Sequence, residues 1–163
     1  MNMKKLIALL LMAVLLVCAA GCGGKEEEPA QTQRANSVDL AAVMQEILDT
    51  VSLPDMMTLT QNDLVDYFGL EAQWCADSAA CINSNGYEKD EIILVRATDA
   101  DSASRVQECL QKALENAAEE MKDYLPEQYA MIQNCKVESR DLYVWLFISD
   151  QVDQMQAILD KQF

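Results

Sequence analysis

Hydrophobic and polar positions repeat along the chain with helical spacing in some stretches and strand spacing in others, and the changes of period mark the elements. Leu40, Val43, Met44, Ile47, Leu48 and Val51 recur at helical spacing, with Ser37 placed to cap the helix and Pro54 to end it. A short second helix is predicted from Thr60. Thr60-Gln61-Asn62-Asp63 resembles a capping box, Leu59 and Leu64 can form a staple across it, and Gly69 can close it. The period then shortens. Gln73–Ile82 reads as a strand, Asn83-Ser84-Asn85-Gly86 supplies turn chemistry, and Glu91–Ala97 carries the β-branched run Ile92-Ile93-Leu94-Val95. The longest helix is predicted over about residues 101–124, with Ala103, Val106, Leu110, Ala113, Leu114, Ala117, Met121 and Tyr124 on its apolar face. Two further strands are expected at Met131–Glu138 and Leu142–Ile148, joined through Ser139-Arg140-Asp141, and a last helix from about Asp150. The second of these strands has no charge, as suits the centre of a sheet.

The order is therefore α-α-β-β-α-β-β-α. It predicts an α+β domain over residues 37–163, with an antiparallel sheet of about four strands and helices packed mainly on one face. Two β-β-α units suggest a distant duplication, although no residue-level repeat is visible.

A different pattern governs the start. Lys4-Lys5 precede an uninterrupted apolar run, Leu6–Val17, whose twelve residues suit a signal sequence and fall short of the ~20 needed to span a bilayer as a helix. Ala19-Ala20-Gly21-Cys22 closes the run with small residues before a cysteine, the form of a lipobox. The expectation is a signal peptide over residues 1–21, removed to leave Cys22 as an acylated N-terminus. Residues 22–36 then form a polar tether; as a flexible coil it would reach about 20 Å. This places the domain on the extracytoplasmic face of the cell membrane, with membrane lipid as its first partner.

Charge supports a tethered domain. Loss of Lys4 and Lys5 takes the formal net charge from −15 to −17. Such a surface repels phosphate backbones and anionic headgroups, so nucleic acid is a poor partner. The acyl chains supply membrane affinity without a basic patch.

Candidate chemistry is sparse. Histidine is absent, which removes the commonest general base and the usual Ser-His-Asp and Cys-His arrangements. With 27 acidic residues, a carboxylate pair carries no signal until geometry is known. Asp99 and Asp101 could face a calcium ion, but the glycine and terminal glutamate of an EF-hand loop are missing and helix capping accounts for both. No metal and no cofactor are expected. Cys75, Cys81, Cys109 and Cys135 form no Cys-x-x-Cys pair; they are expected to be free buried thiols, with a disulfide between different elements as the alternative. Cys75 and Cys81 lie about 20 Å apart along one predicted strand, too far to bridge. Trp145 and Tyr143 share a face of the apolar strand, and Trp145 is expected in the core. Trp74 and Tyr87 flank the first hairpin and are the candidate partner surface.

The ordered set of motifs is similar to one family. After the lipobox and acidic tether come Met56-Met57-Thr58-Leu59-Thr60 and Tyr67-Phe68-Gly69-Leu70. Asp90-Glu91-Ile92-Ile93-Leu94-Val95, Tyr124-Leu125-Pro126-Glu127, Asn134-Cys135-Lys136-Val137 and Tyr143-Val144 follow. This resembles the small lipoproteins of Gram-positive, clostridial-type bacteria grouped as domain of unknown function 4358, over about residues 40–160. The resemblance implies export, lipidation and an α+β fold, and no catalytic residues. The function expected is a non-enzymatic binding or assembly module of the envelope, its partner an envelope protein or cell-wall component. A carboxylate-dependent envelope hydrolase is the alternative. A transport substrate-binding protein is disfavoured by length.

Overall fold

The computed structural model describes residues 37–163. The predicted signal peptide, the lipobox with Cys22 and the tether all lie outside the described residues. Helix α1 spans Leu40–Thr50, and Asp39 rather than Ser37 caps it: the Asp39 carboxylate accepts from the Ala42 N–H at 3.0 Å. A three-residue strand β1, Met56–Thr58, precedes helix α2, Gln61–Phe68. The chain continues through a 3₁₀ turn, Ala72–Trp74, into strand β2, Cys75–Asn83, and strand β3, Glu91–Ala97. Helix α3 runs over Ala100–Met121 and helix α4 over Pro126–Ile132. Strands β4, Val137–Arg140, and β5, Tyr143–Ile148, lead to helix α5, Val152–Leu159, and a final 3₁₀ turn, Asp160–Gln162.

The five strands form one antiparallel sheet in the order β1-β2-β3-β5-β4. The α+β class stands, with differences of detail that have physical causes. β1 adds a fifth strand that is too short to show a period of two. α3 ends at Met121, short of the predicted Tyr124, which is 82% exposed, and Pro126 begins α4 as its first residue, where its missing N–H has no intrahelical partner to lose. Met131 and Ile132 therefore belong to that helix, and the strand expected from Met131 starts only at Val137.

Helices cover both faces of the sheet rather than mainly one. Ile93, Val95, Val144, Leu146 and Ile148 pack with Leu64, Val106, Leu110, Leu114, Ala117 and Ile132 of α2, α3 and α4. Ile92, Leu94, Trp145 and Phe147 pack on the other side with Leu40, Val43, Ile47, Met155, Ile158 and Leu159 of α1 and α5. Because β3 and β5 are central, both of their faces are buried, which explains their unbroken apolar runs. Burying each of these large aliphatic side chains contributes about 1.5–3 kcal/mol. The helices that follow the two hairpins, α3 and α5, lie on opposite faces, so the fold gives no support to a β-β-α duplication.

One irregularity matters for the cysteines. Cys75 pairs with Ala97 and Asp77 with Arg96, so β2 holds an extra residue at Ala76. This bulge reverses the alternation of sides. Cys75 consequently packs toward α3 while Cys81, buried, faces α1.

Candidate functional site

A concavity that combines charged, polar and aromatic walls lies on the α3 side, where β2 ends and β3 begins. Its floor is set by sheet register. Met57 pairs with Ile82, Ile82 with Glu91 and Glu91 with Ile148, so these four side chains form one row across β1, β2, β3 and β5. Tyr67 and Phe68 of α2 form one wall, and Ala113, Asn116, Ala117 and Glu120 of α3 the other. Asn83, Ser84, Gly86 and Lys89 close the end. The groove encloses about 430 Å³, within the range of small-ligand sites.

Local chemistry holds its margins. The Thr60 hydroxyl accepts from the Asp63 N–H while the Asp63 carboxylate accepts from the Thr60 N–H at 2.7 Å, the capping box expected from sequence. At the other end of α2, Gly69 adopts φ +68°, and the Leu70 N–H reaches back to the Leu64 carbonyl at 3.1 Å. This pair of caps fixes the direction in which Tyr67 and Phe68 project. The β2–β3 loop is equally ordered by side chains. The Asn83 amide oxygen accepts from Asn85 N–H, the Asn85 oxygen accepts from Tyr87 and Glu88 N–H, and Ser84 donates to the Asp55 carbonyl. Lys89 N–H donates to Gln128 of α4 at 2.9 Å, tying the loop to the helical layer.

Electrostatics single out Glu91. Lys89 and Glu120 form an ion pair at 2.8 Å across the end of the groove. No hydrogen bond or ion pair reaches the Glu91 carboxylate among the described residues. Burial holds its pKa above the ordinary value, with Glu120 and Asp90 adding to that effect and Lys89 opposing it. A carboxylate between Ile82 and Ile148 in a sheet row breaks the apolar pattern around it without a compensating bond, the kind of local conflict that concentrates at functional positions. Next to it, burial also raises Asp90, against hydrogen bonds from Asn83 and Ser149. Asp90 is thus held by the fold, whereas Glu91 faces the groove.

A family model described as a domain of unknown function matches residues 49–149. The chain belongs to the DUF4358 family. No curated protein and no solved structure matches it. The DUF4358 match runs from the last turn of α1 to the residue after β5, so it contains all five strands, α2, α3, α4 and the whole groove. Most of α1 and all of α5, which cover the opposite face, fall outside it.

The aromatic residues singled out from sequence are not brought together. Tyr87 is 77% exposed at the tip of the β2–β3 loop, beside the groove. Trp74 is half-buried at the far end of β2, about 30 Å away along the strand, with the Arg105 guanidinium 5.7 Å from its ring. Trp145 is buried on the α5 side, its ring N–H donating to Gln156 at 2.9 Å and its face stacked on Phe163. Asp99 caps α3 by accepting from Ser102 N–H at 2.7 Å, which uses the carboxylate considered for calcium. Among the described residues no group of three or more acidic or cysteine side chains is placed to hold a metal ion.

The four cysteines of the domain are free thiols; Cys81 and Cys135 are buried as expected, whereas Cys75 and Cys109 are only half-buried. Burial raises every one of them, Cys81 to about 12, so none is poised as a thiolate nucleophile. Sequence reasoning missed Glu91 as a site residue because its strand position was visible but its cross-strand neighbours were not. The available signal was a charged pair, Asp90-Glu91, running directly into the most apolar strand of the first hairpin.

Proposed function

We propose that this DUF4358 chain is a membrane-anchored extracytoplasmic lipoprotein whose folded domain acts as a non-enzymatic binding module of the cell envelope. The observation that carries the reading is Ala19-Ala20-Gly21-Cys22 at the end of the apolar run Leu6–Val17. Removal of residues 1–21 leaves Cys22 as the acyl acceptor, and residues 22–36 hold the domain off the headgroups. Among the described residues no helix is long and apolar enough to cross a membrane, so in this reading the acyl chains make the attachment. Stable anchoring by lipid requires more than one acyl chain or a second signal. A lipoprotein N-terminus with a diacylglyceryl group on the Cys22 thiol meets that requirement.

Binding rather than catalysis is favoured by the groove's own chemistry. Glycoside hydrolysis needs two carboxylates set as acid and base or nucleophile. Of the two in the groove, Glu120 is committed to Lys89 and stands largely in water, which leaves Glu91 without a second catalytic carboxyl. The exposed Tyr67, Met57 and Tyr87 around the groove are residue types enriched at recognition surfaces.

Mass spectrometry of the mature N-terminus, after expression of the full chain in a Gram-positive host, tests the anchor. The expected species begins at Cys22 and carries a diacylglyceryl group. Cys22→Ala should abolish that mass, and Cys18→Ala should retain it. An unmodified N-terminus at any other residue would overturn the reading.

A further inference from the structure

The groove has a charge imbalance that its own side chains do not resolve. Its lining contributes two carboxylates, Glu91 and Glu120, and one ammonium, Lys89. Lys89 lies 2.8 Å from Glu120, so the excess negative charge falls on Glu91, in the apolar row of the floor. Glu91 is half-buried and accepts no hydrogen bond among the described residues, which is costly for a carboxylate, and the cost falls when a cation arrives with donors to satisfy it. The walls supply a second requirement. Tyr67 is 59% exposed and Met57 44% exposed, and both flank the path to Glu91, so the cation's stem meets apolar and aromatic surface. Long basic side chains combine such a stem with a charged head.

From these features we infer that the groove receives a lysine side chain of an envelope protein, its ammonium against Glu91 and its stem between Tyr67 and Met57. This rests on the binding-module reading and gives its partner a chemistry. Three observations favour a protein over a free amine. The apolar surface continues beyond the groove at the exposed Tyr87, next to Gly86 of its lining, more than a small amine covers. Strand β1 is an edge of the sheet, beside the groove, where an extended segment can lie. The net charge of −15 attracts a basic partner over a distance. Lysine suits the site better than arginine, because one carboxylate in a narrow row matches a compact point charge and not a planar fork.

The test is a titration of the full chain, purified in detergent and labelled on methionine and isoleucine methyl groups. Three probes are compared: blocked Ala-Lys-Ala, its acetyl-lysine counterpart, and the diamine cadaverine. The lysine peptide should shift the Met57 and Ile82 signals while the acetylated peptide leaves them unmoved. Glu91→Gln should weaken the lysine response at least about tenfold, the loss expected when a charge-assisted contact is removed. Tyr67→Ala, at an exposed position, should weaken it by less and guards against a folding defect in the first variant. Equal shifts from the acetylated peptide, a response untouched by Glu91→Gln, or no response to any probe would overturn the inference. A response to cadaverine stronger than to the peptide would also overturn it, in favour of a free amine. The titration is independent of acylation, so a failed lipidation test would leave its outcome standing.

Discussion

Replacing Trp145 by alanine tests the core on which the whole sheet depends. The indole is 4% exposed, sits on central strand β5 and packs between α5 and the chain end. Its ring N–H donates to Gln156 at 2.9 Å, and its face stacks on Phe163 with centroids 6.1 Å apart. Truncating a buried tryptophan costs about 3–5 kcal/mol, from lost transfer energy and the cavity left behind. A domain of this size holds about 5–15 kcal/mol in all. With an unfolding entropy of about 2.1 cal/mol/K per residue, the loss corresponds to a fall in Tm of roughly 10–18 °C. Trp145→Phe separates the contributions. It keeps most of the apolar contact but removes the donor to Gln156, a net of about 1 kcal/mol. Gln156 is half-buried and can turn to water, which keeps that value low. Thermal and urea unfolding of the parent and both variants, followed by circular dichroism, would measure this. Trp74→Ala is the comparison, and its half-buried ring predicts a smaller loss. A Trp145→Ala chain that melts within about 3 °C of the parent would refute the assignment of this strand to the core.

Two further outcomes follow from the site's surroundings. Asp90 and Glu91 bind protons more tightly folded than unfolded, mainly because burial disfavours their charged forms. The folded chain therefore holds more protons above the ordinary values of 3.8 and 4.5, and stability falls as pH rises from there through the raised folded values. Asp63 and Asp99, lowered by hydrogen bonds from Thr60 and Ser102, act in the opposite sense: their contribution is complete above 3.8 and is lost as pH falls through their folded values. Urea unfolding of parent and Glu91→Gln between pH 4.5 and 7 should show the parent losing stability relative to the variant as pH rises; a parent that gains would contradict the burial of Glu91. Gly69→Ala should cost about 1–2 kcal/mol by thermal melt, because φ +68° strains any side-chain-bearing residue. The added methyl would meet the Cys109 sulfur at an ordinary 4.0 Å, so the loss is one of backbone strain, and a neutral result would show that the turn can rearrange.

Much of the fold was legible where a pattern had length. The 3.6-residue spacing through Val106, Leu110, Leu114 and Met121 located α3, and Thr60, Asp63 and Gly69 marked both ends of α2. The elements that escaped are short or ambiguous. β1 has three residues, and Met131-Ile132 is an apolar pair that suits either a strand or the end of a helix begun by Pro126. The distribution of helices over both faces was also hidden. An unbroken run such as Tyr143–Ile148 reports that both sides are buried but not what buries them. The site was hidden for a related reason. Trp74 and Tyr87 were visible as aromatics beside a hairpin, yet a nine-residue strand separates them. Glu91 became distinctive only when register set it in a row with Met57, Ile82 and Ile148. Long-range pairing carries that information, and local periodicity does not.

The proposed lipid-tethered domain would meet its partner through the groove beside Glu91. Site-specific photo-crosslinking in intact cells tests it most directly. A photoreactive residue is placed at Tyr67, in the groove wall, or at Asp49, exposed on α1 across the sheet. A membrane-associated crosslinked product is expected from position 67, absent from position 49 and suppressed by Glu91→Gln in the same chain. A product from position 49 with none from position 67, or a product from position 67 that persists undiminished with Glu91→Gln, would contradict it.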